Sequence, residues 1–154
     1  MSSMREDAIA RLRDPLSADT TALAYMGDAV YEVRIREYVL QDARIKTQKI
    51  NQRAIAFVRA DAQADVLRTM LREGFLTEQE AALAKRARNR TNTARPRGSS
   101  PAAYKLATGF EAVVGWLYFT EDEERLAAVV REAVRIVEDH AAGGESRAAE
   151  RTEL

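Results

Sequence analysis

Each of the two most apolar stretches of this chain has a single carboxylate set within it, and that arrangement limits how the chain can fold. The first stretch is Leu23-Ala24-Tyr25-Met26-Gly27-Asp28-Ala29-Val30-Tyr31, with Asp28 inside it and Glu32 directly after it. The second is Ala107-Thr108-Gly109-Phe110-Glu111-Ala112-Val113-Val114-Gly115-Trp116-Leu117-Tyr118-Phe119, with Glu111 as its acid. Both are runs of helix-forming residues that should face a core. An ionised carboxylate is costly to bury without a partner. Either helix rotation leaves the two acids in solvent, or they meet something positive.

The residue inventory narrows what that positive group can be. The chain has no cysteine and one histidine, His140. Disulfides, thiol catalysis and zinc–thiolate sites are excluded, and a multi-histidine metal site or a Ser-His-Asp triad is disfavoured. Oxygen ligands without histidine or cysteine suit Mg²⁺ or Mn²⁺. Such an ion can polarise a phosphoryl group and lower the pKa of a bound water, the chemistry of phosphodiester hydrolysis. Spacing alone does not select this reading, because a lone acid in an apolar helix is more often a capping or rim residue.

The 24 basic and 24 acidic residues balance, so any nucleic-acid signal has to be local. One local signal exists. Lys85, Arg86, Arg88, Arg90, Arg95 and Arg97 follow one another with no acid between them, and Asn89 and Asn92 add neutral donors. A basic helix end followed by a loop contacts a phosphate backbone well. No aromatic residue is interleaved before Tyr104, so contact with a duplex by its shape fits better than base stacking. Lys46 and Lys49 would extend the same surface. A solvated charge run is the competing reading.

Alanine, leucine, arginine and glutamate dominate, which points to an all-α fold. Asp19 or Thr20 caps a helix to about Leu40, with Leu23, Met26, Val30 and Val33 as its core stripe. Gly27 in that helix implies close approach of another helix or of a ligand. The next helix spans Lys46 to Arg59. Asp61 caps another that Gly74 ends, and Thr77–Glu80 forms a capping box for a fourth. Residues 91–100 are a loop. Ser99 or Ser100, with Pro101, opens the most apolar helix. A last helix follows Thr120, and Leu126, Val129, Val130, Val134 and Val137 are its buried stripe. The expected organisation is an N-terminal segment (1–18), one helical domain (19–140) and a disordered tail (141–154). No apolar run is long enough for a membrane span or secretion signal, so the expected location is the cytoplasm.

Taken together, these residues resemble the ribonuclease III domain family. The stretch from Leu23 to Glu32 is similar to the family's signature helix, in the form found in Mini-ribonuclease III, which lacks a double-stranded-RNA-binding domain. Ala56–Ala64, Arg86–Asn89 and Tyr104–Ala112 match the same small family in its order, over roughly residues 19–138, and the chain stops where an appended RNA-binding domain would begin. The resemblance implies a helical homodimer and a Mg²⁺-dependent endonuclease acting on double-stranded RNA, specifically the 23S rRNA precursor. It assigns Asp28 as catalytic aspartate, Glu111 as metal-binding glutamate, and the basic segment as the part that holds RNA. Two of the four carboxylates usual in larger ribonuclease III proteins are missing, since Ala24 and Thr108 occupy their positions. Glu32, one turn after Asp28, is a candidate to act through a water. The missing acids leave a rival: a non-catalytic double-stranded-RNA-binding or ribosome-assembly module. A helical protein-interaction domain with an incidental basic loop is the third reading.

Overall fold

The computed structural model describes residues 3–91 and 100–152, with side chains through Gly143. Among the described residues there are seven helices and no strand. They are α1 (Met4–Leu12), α2 (Thr20–Leu40), α3 (Thr47–Val58), α4 (Ala60–Glu73), α5 (Glu78–Arg90), α6 (Pro101–Phe119) and α7 (Glu123–Thr152). None is long and apolar enough to cross a membrane.

Local chemistry sets several of the helix ends. Asp19 Oδ1 accepts from the amide nitrogens of Thr21 and Ala22 at the start of α2. Thr77 and Glu80 form a reciprocal capping box on α5. Ser100 caps α6, and Pro101 occupies the first helical position. Gly74 ends α4 at φ 68°, where a side chain would be strained.

One expectation fails here. Asp61 lies in the first turn of α4, whose N-cap is Arg59. A single extended residue joins α3 to α4, so Asp61 already lies inside the helix. Helix α7 runs past residue 140 to Thr152. The alanine, glutamate and arginine of that segment favour helix enough to carry it through two glycines.

Helix α6 is the centre of the molecule. It packs against α2, α4 and α5, and α7 and α1 add further contacts. The crossing with α2 is very close. A Cβ built on Gly27 would lie 1.7 Å from the Glu111 carbonyl oxygen, and one on Gly115 would lie 2.0 Å from that of Leu23. Only glycine at both positions permits this approach. The approaching element at Gly27 is therefore a helix, not a ligand.

The same crossing explains why the expected stripe on α2 is rotated. Its buried face is Leu23, Ala24, Gly27, Tyr31, Ile35 and Val39, whereas Met26 and Val30 are only partly buried and Val33 is exposed. A close crossing needs small residues at its centre, and a count of large apolar side chains overlooks them. The Tyr31 ring meets Phe110 edge-on at 4.9 Å, with its hydroxyl donating to the Phe57 carbonyl.

Buried polar contacts fasten the outer elements. Glu80 is almost fully buried and receives two bonds from Arg125, at 2.7 and 2.8 Å. Arg125 also donates to the Phe75 carbonyl and lies over the Phe75 ring. Burial alone would raise the Glu80 carboxyl, but the Arg125 bonds and the Thr77 amide outweigh it and hold the group below its ordinary value.

Candidate active site

The α2–α6 crossing forms the floor of a cleft of about 450 Å³. Helix α2 contributes Thr21, Ala24, Tyr25 and Asp28. Helix α6 contributes Tyr104, Ala107, Thr108 and Glu111. Val58, Ala60 and Gln63 line it from the α3–α4 junction, and Arg90 and Thr91 from the end of α5. The glycine contact fixes the relation of the two acids. Gly27 rests on the backbone of Glu111, so Asp28, the next residue, sits beside the Glu111 side chain.

The two carboxyls are close enough to interact directly. Burial, and then hydrogen bonding and repulsion from Asp28, push the Glu111 carboxyl up to about 9. Glu111 is thus half-buried and prefers a proton at neutral pH, while Asp28 is exposed at the cleft surface. No ion pair joins a cationic side chain to either acid among the described residues. A divalent cation can supply the missing positive charge. The oxygen-only donors suit Mg²⁺ or Mn²⁺. Among the described residues no three acids or histidines gather, so water and phosphate would complete the coordination shell.

Ala24 and Thr108 both face this cleft, so the positions without carboxylates are part of the site. The Thr108 hydroxyl donates to the Tyr104 carbonyl. Glu32 does not line the cleft and pairs with Arg36 at 2.8 Å.

The basic segment divides by environment. Arg90 is exposed and forms part of the cleft wall, Lys85 and Asn89 are exposed on α5, and Arg88 is half-buried. Arg86 turns inward, donating to the Ala18 and Pro15 carbonyls at 3.0 and 2.8 Å. It holds the α1–α2 connection, and burial lowers its pKa. Arg95 and Arg97 lie outside the described residues. Lys46 and Lys49 are exposed on and just before α3, away from the cleft lining. His140 is exposed on α7.

Sequence reasoning overlooked Gln63 and Tyr25 as cleft residues. Gln63 lies in an alanine-rich stretch whose periodicity marks it only as buried. Tyr25 belongs to an apolar run, yet it is 81% exposed.

Comparison with known proteins bears on the family and the fold. Residues 21–122 match the Ribonuclease III domain family. The chain is 38% identical over 128 residues to the Mini-ribonuclease 3 of Symbiobacterium thermophilum, covering 83% of this chain and 97% of that one. It is 40% identical over 117 residues to the Mini-ribonuclease 3 of Streptococcus pneumoniae, covering 76% and 91%. A crystal structure of a Fusobacterium nucleatum protein superposes with a TM-score of 0.65 at 30% identity, covering 73% of this chain and 88% of that one.

Proposed function

This chain belongs to the ribonuclease III family and is an endoribonuclease of the Mini-ribonuclease III kind, and from that premise we propose that it cleaves double-stranded RNA with Mg²⁺ held by Asp28 and Glu111. The observation that carries the reading is the convergence of these two acids, from helices far apart in sequence, in one cleft with Arg90 in its wall. When bound there, Mg²⁺ supplies Lewis-acid polarisation of a phosphodiester and a water of lowered pKa.

The chain's own residues do the rest. Asp28 and Glu111 fix the place of reaction, held in position by the Gly27–Gly115 crossing. Arg90 reaches the phosphate backbone at the cleft, and Lys85, Arg88 and Asn89 continue the contact along α5. Arg95 and Arg97 belong to the same basic segment, and Arg86 supports it from behind.

The active form is a homodimer. Tyr25 and Val33 are exposed eight residues apart on one face of α2, with Leu16 also uncovered ahead of the helix. A second copy covering these apolar side chains would set one cleft against each strand of the duplex. The expected substrate is the 23S rRNA precursor, which places the enzyme in the cytoplasm.

The test incubates the purified protein with a perfect RNA duplex and with its separate strands, in Mg²⁺ and in EDTA. Cleavage should be restricted to the duplex in Mg²⁺. Asp28→Asn should abolish it while keeping the fold and RNA binding. Undiminished turnover by that variant would remove the proposal.

A further inference from the structure

One polar atom in the cleft wall has nothing to bond. Gln63 is only 3% exposed. Its Nε2 donates to the Val58 carbonyl at 2.7 Å. Only the amino end of an amide can donate, so this contact fixes which end is which. Oε1 is left without a partner, the one buried side-chain atom in that position among the described residues. A buried carbonyl without a hydrogen bond carries its full desolvation penalty, and folded proteins leave few such atoms unless a water, an ion or a function accounts for them.

The location suggests which. Gln63 lines the same cleft as Asp28 and Glu111. Ala24 and Thr108 line it as well, the first with no polar side-chain atom and the second with its hydroxyl donated to the Tyr104 carbonyl. The lining hydroxyls can each turn to accept or donate, whereas Gln63 Oε1 can only accept and has its bond unmade. We propose that Gln63 is a positioning residue of the reaction centre, its Oε1 accepting a hydrogen bond from a water held on the divalent cation between Asp28 and Glu111. The inference rests on the cleft taking such a cation. Hydrated Mg²⁺ keeps several waters, each of them a strong donor. A neutral amide orients one of these without adding a third negative charge beside two acids that already repel. The Val58 carbonyl, fixed at the α3–α4 junction, holds the amide in the orientation that this requires.

Binding of Mn²⁺ alone, without RNA, tests this. Free Mn²⁺ is followed by electron paramagnetic resonance in titrations of the wild-type protein and the Asp28→Asn, Gln63→Met and Gln63→Glu variants, and each is also unfolded in EDTA. Gln63→Met should weaken Mn²⁺ binding about 10-fold, the typical loss when an outer-sphere partner is removed. Gln63→Glu loses the donor to the Val58 carbonyl but keeps an acceptor oxygen and adds a negative charge beside the cation, whose attraction outweighs that loss, so it should bind at least as tightly as wild type. If Gln63 only ties the α3–α4 junction, Gln63→Met loses stability in EDTA and keeps wild-type Mn²⁺ affinity, which overturns the inference. Should Gln63→Met not fold, Gln63→Glu decides, because weaker Mn²⁺ binding than wild type would count against it. Wild-type protein that binds Mn²⁺ no better than Asp28→Asn overturns the metal reading and this inference together. Wild-type binding that is sensitive to Asp28→Asn but not to Gln63→Met overturns this inference alone.

Discussion

Replacing Glu111 with glutamine should stabilise the metal-free protein. Burial and Asp28 raise the Glu111 carboxyl from 4.5 to about 9 in the folded state. A group with a raised folded value contributes stability that is fully present below about pH 4.5 and is lost as the pH rises towards 9. At pH 7 the unfolded chain ionises Glu111 freely and the folded chain does not. At about 1.4 kcal/mol per pH unit, the folded state forgoes up to about 3 kcal/mol. Partial exposure of Glu111 to solvent reduces this to about 1–3 kcal/mol. Glutamine has nearly the same shape, carries no charge to desolvate and can donate to Asp28. In EDTA at pH 7, Glu111→Gln should melt about 2–12 °C above wild type, given about 2–4 °C per kcal/mol for a chain of this size. The gap should widen between pH 5 and pH 8. Added Mg²⁺ should narrow it by stabilising only the wild type. The assay is thermal unfolding across this pH range with and without Mg²⁺. A variant no more stable than wild type at pH 8, with a gap that ignores pH, would refute the reasoning.

Three further outcomes follow from the packing and the charge distribution. Gly115→Ala places a methyl where the Leu23 carbonyl now lies 2.0 Å away; urea unfolding should show a loss of about 3 kcal/mol from overpacking, and RNA cleavage should fall as the acids separate. Arg125→Met leaves the Glu80 carboxylate buried and unpaired, and should cost about 3–5 kcal/mol at neutral pH. Because Arg125 helps hold Glu80 below its ordinary value, that cost should shrink as the pH falls below about 4.5, checked by denaturant midpoints over a pH series. Combined Lys85→Ala and Arg90→Ala changes, made on Asp28→Asn protein, should lower the slope of log affinity for duplex RNA against log salt by about 1–2, with the fold unchanged by circular dichroism.

Much of the fold was legible because helix boundaries depend on local chemistry. Asp19, the Thr77–Glu80 box, Ser100 with Pro101, and Gly74 each act within a few residues of where they stand. The inner face of α2 was not legible. Its choice of Ala24, Gly27 and Tyr31 over Met26 and Val33 is made by the shape of α6, a helix some eighty residues away. The same holds for the site. Asp28 and Glu111 stand out as acids in apolar surroundings, but nothing in their spacing says that two glycines would bring them together. Arg86 reads as one of six cations, and only the path of the α1–α2 connection shows that its guanidinium faces inward. Gln63 reads only as a buried position until the Val58 carbonyl fixes its amide.

The most direct test of the shared site is anomalous diffraction from a crystal of the protein grown with Mn²⁺. The account predicts one peak within about 2.0–2.3 Å of carboxylate oxygens from both Asp28 and Glu111, lost in Asp28→Asn crystals. Mn²⁺ bound by one acid while the other points elsewhere, in protein that cleaves duplex RNA, would contradict it.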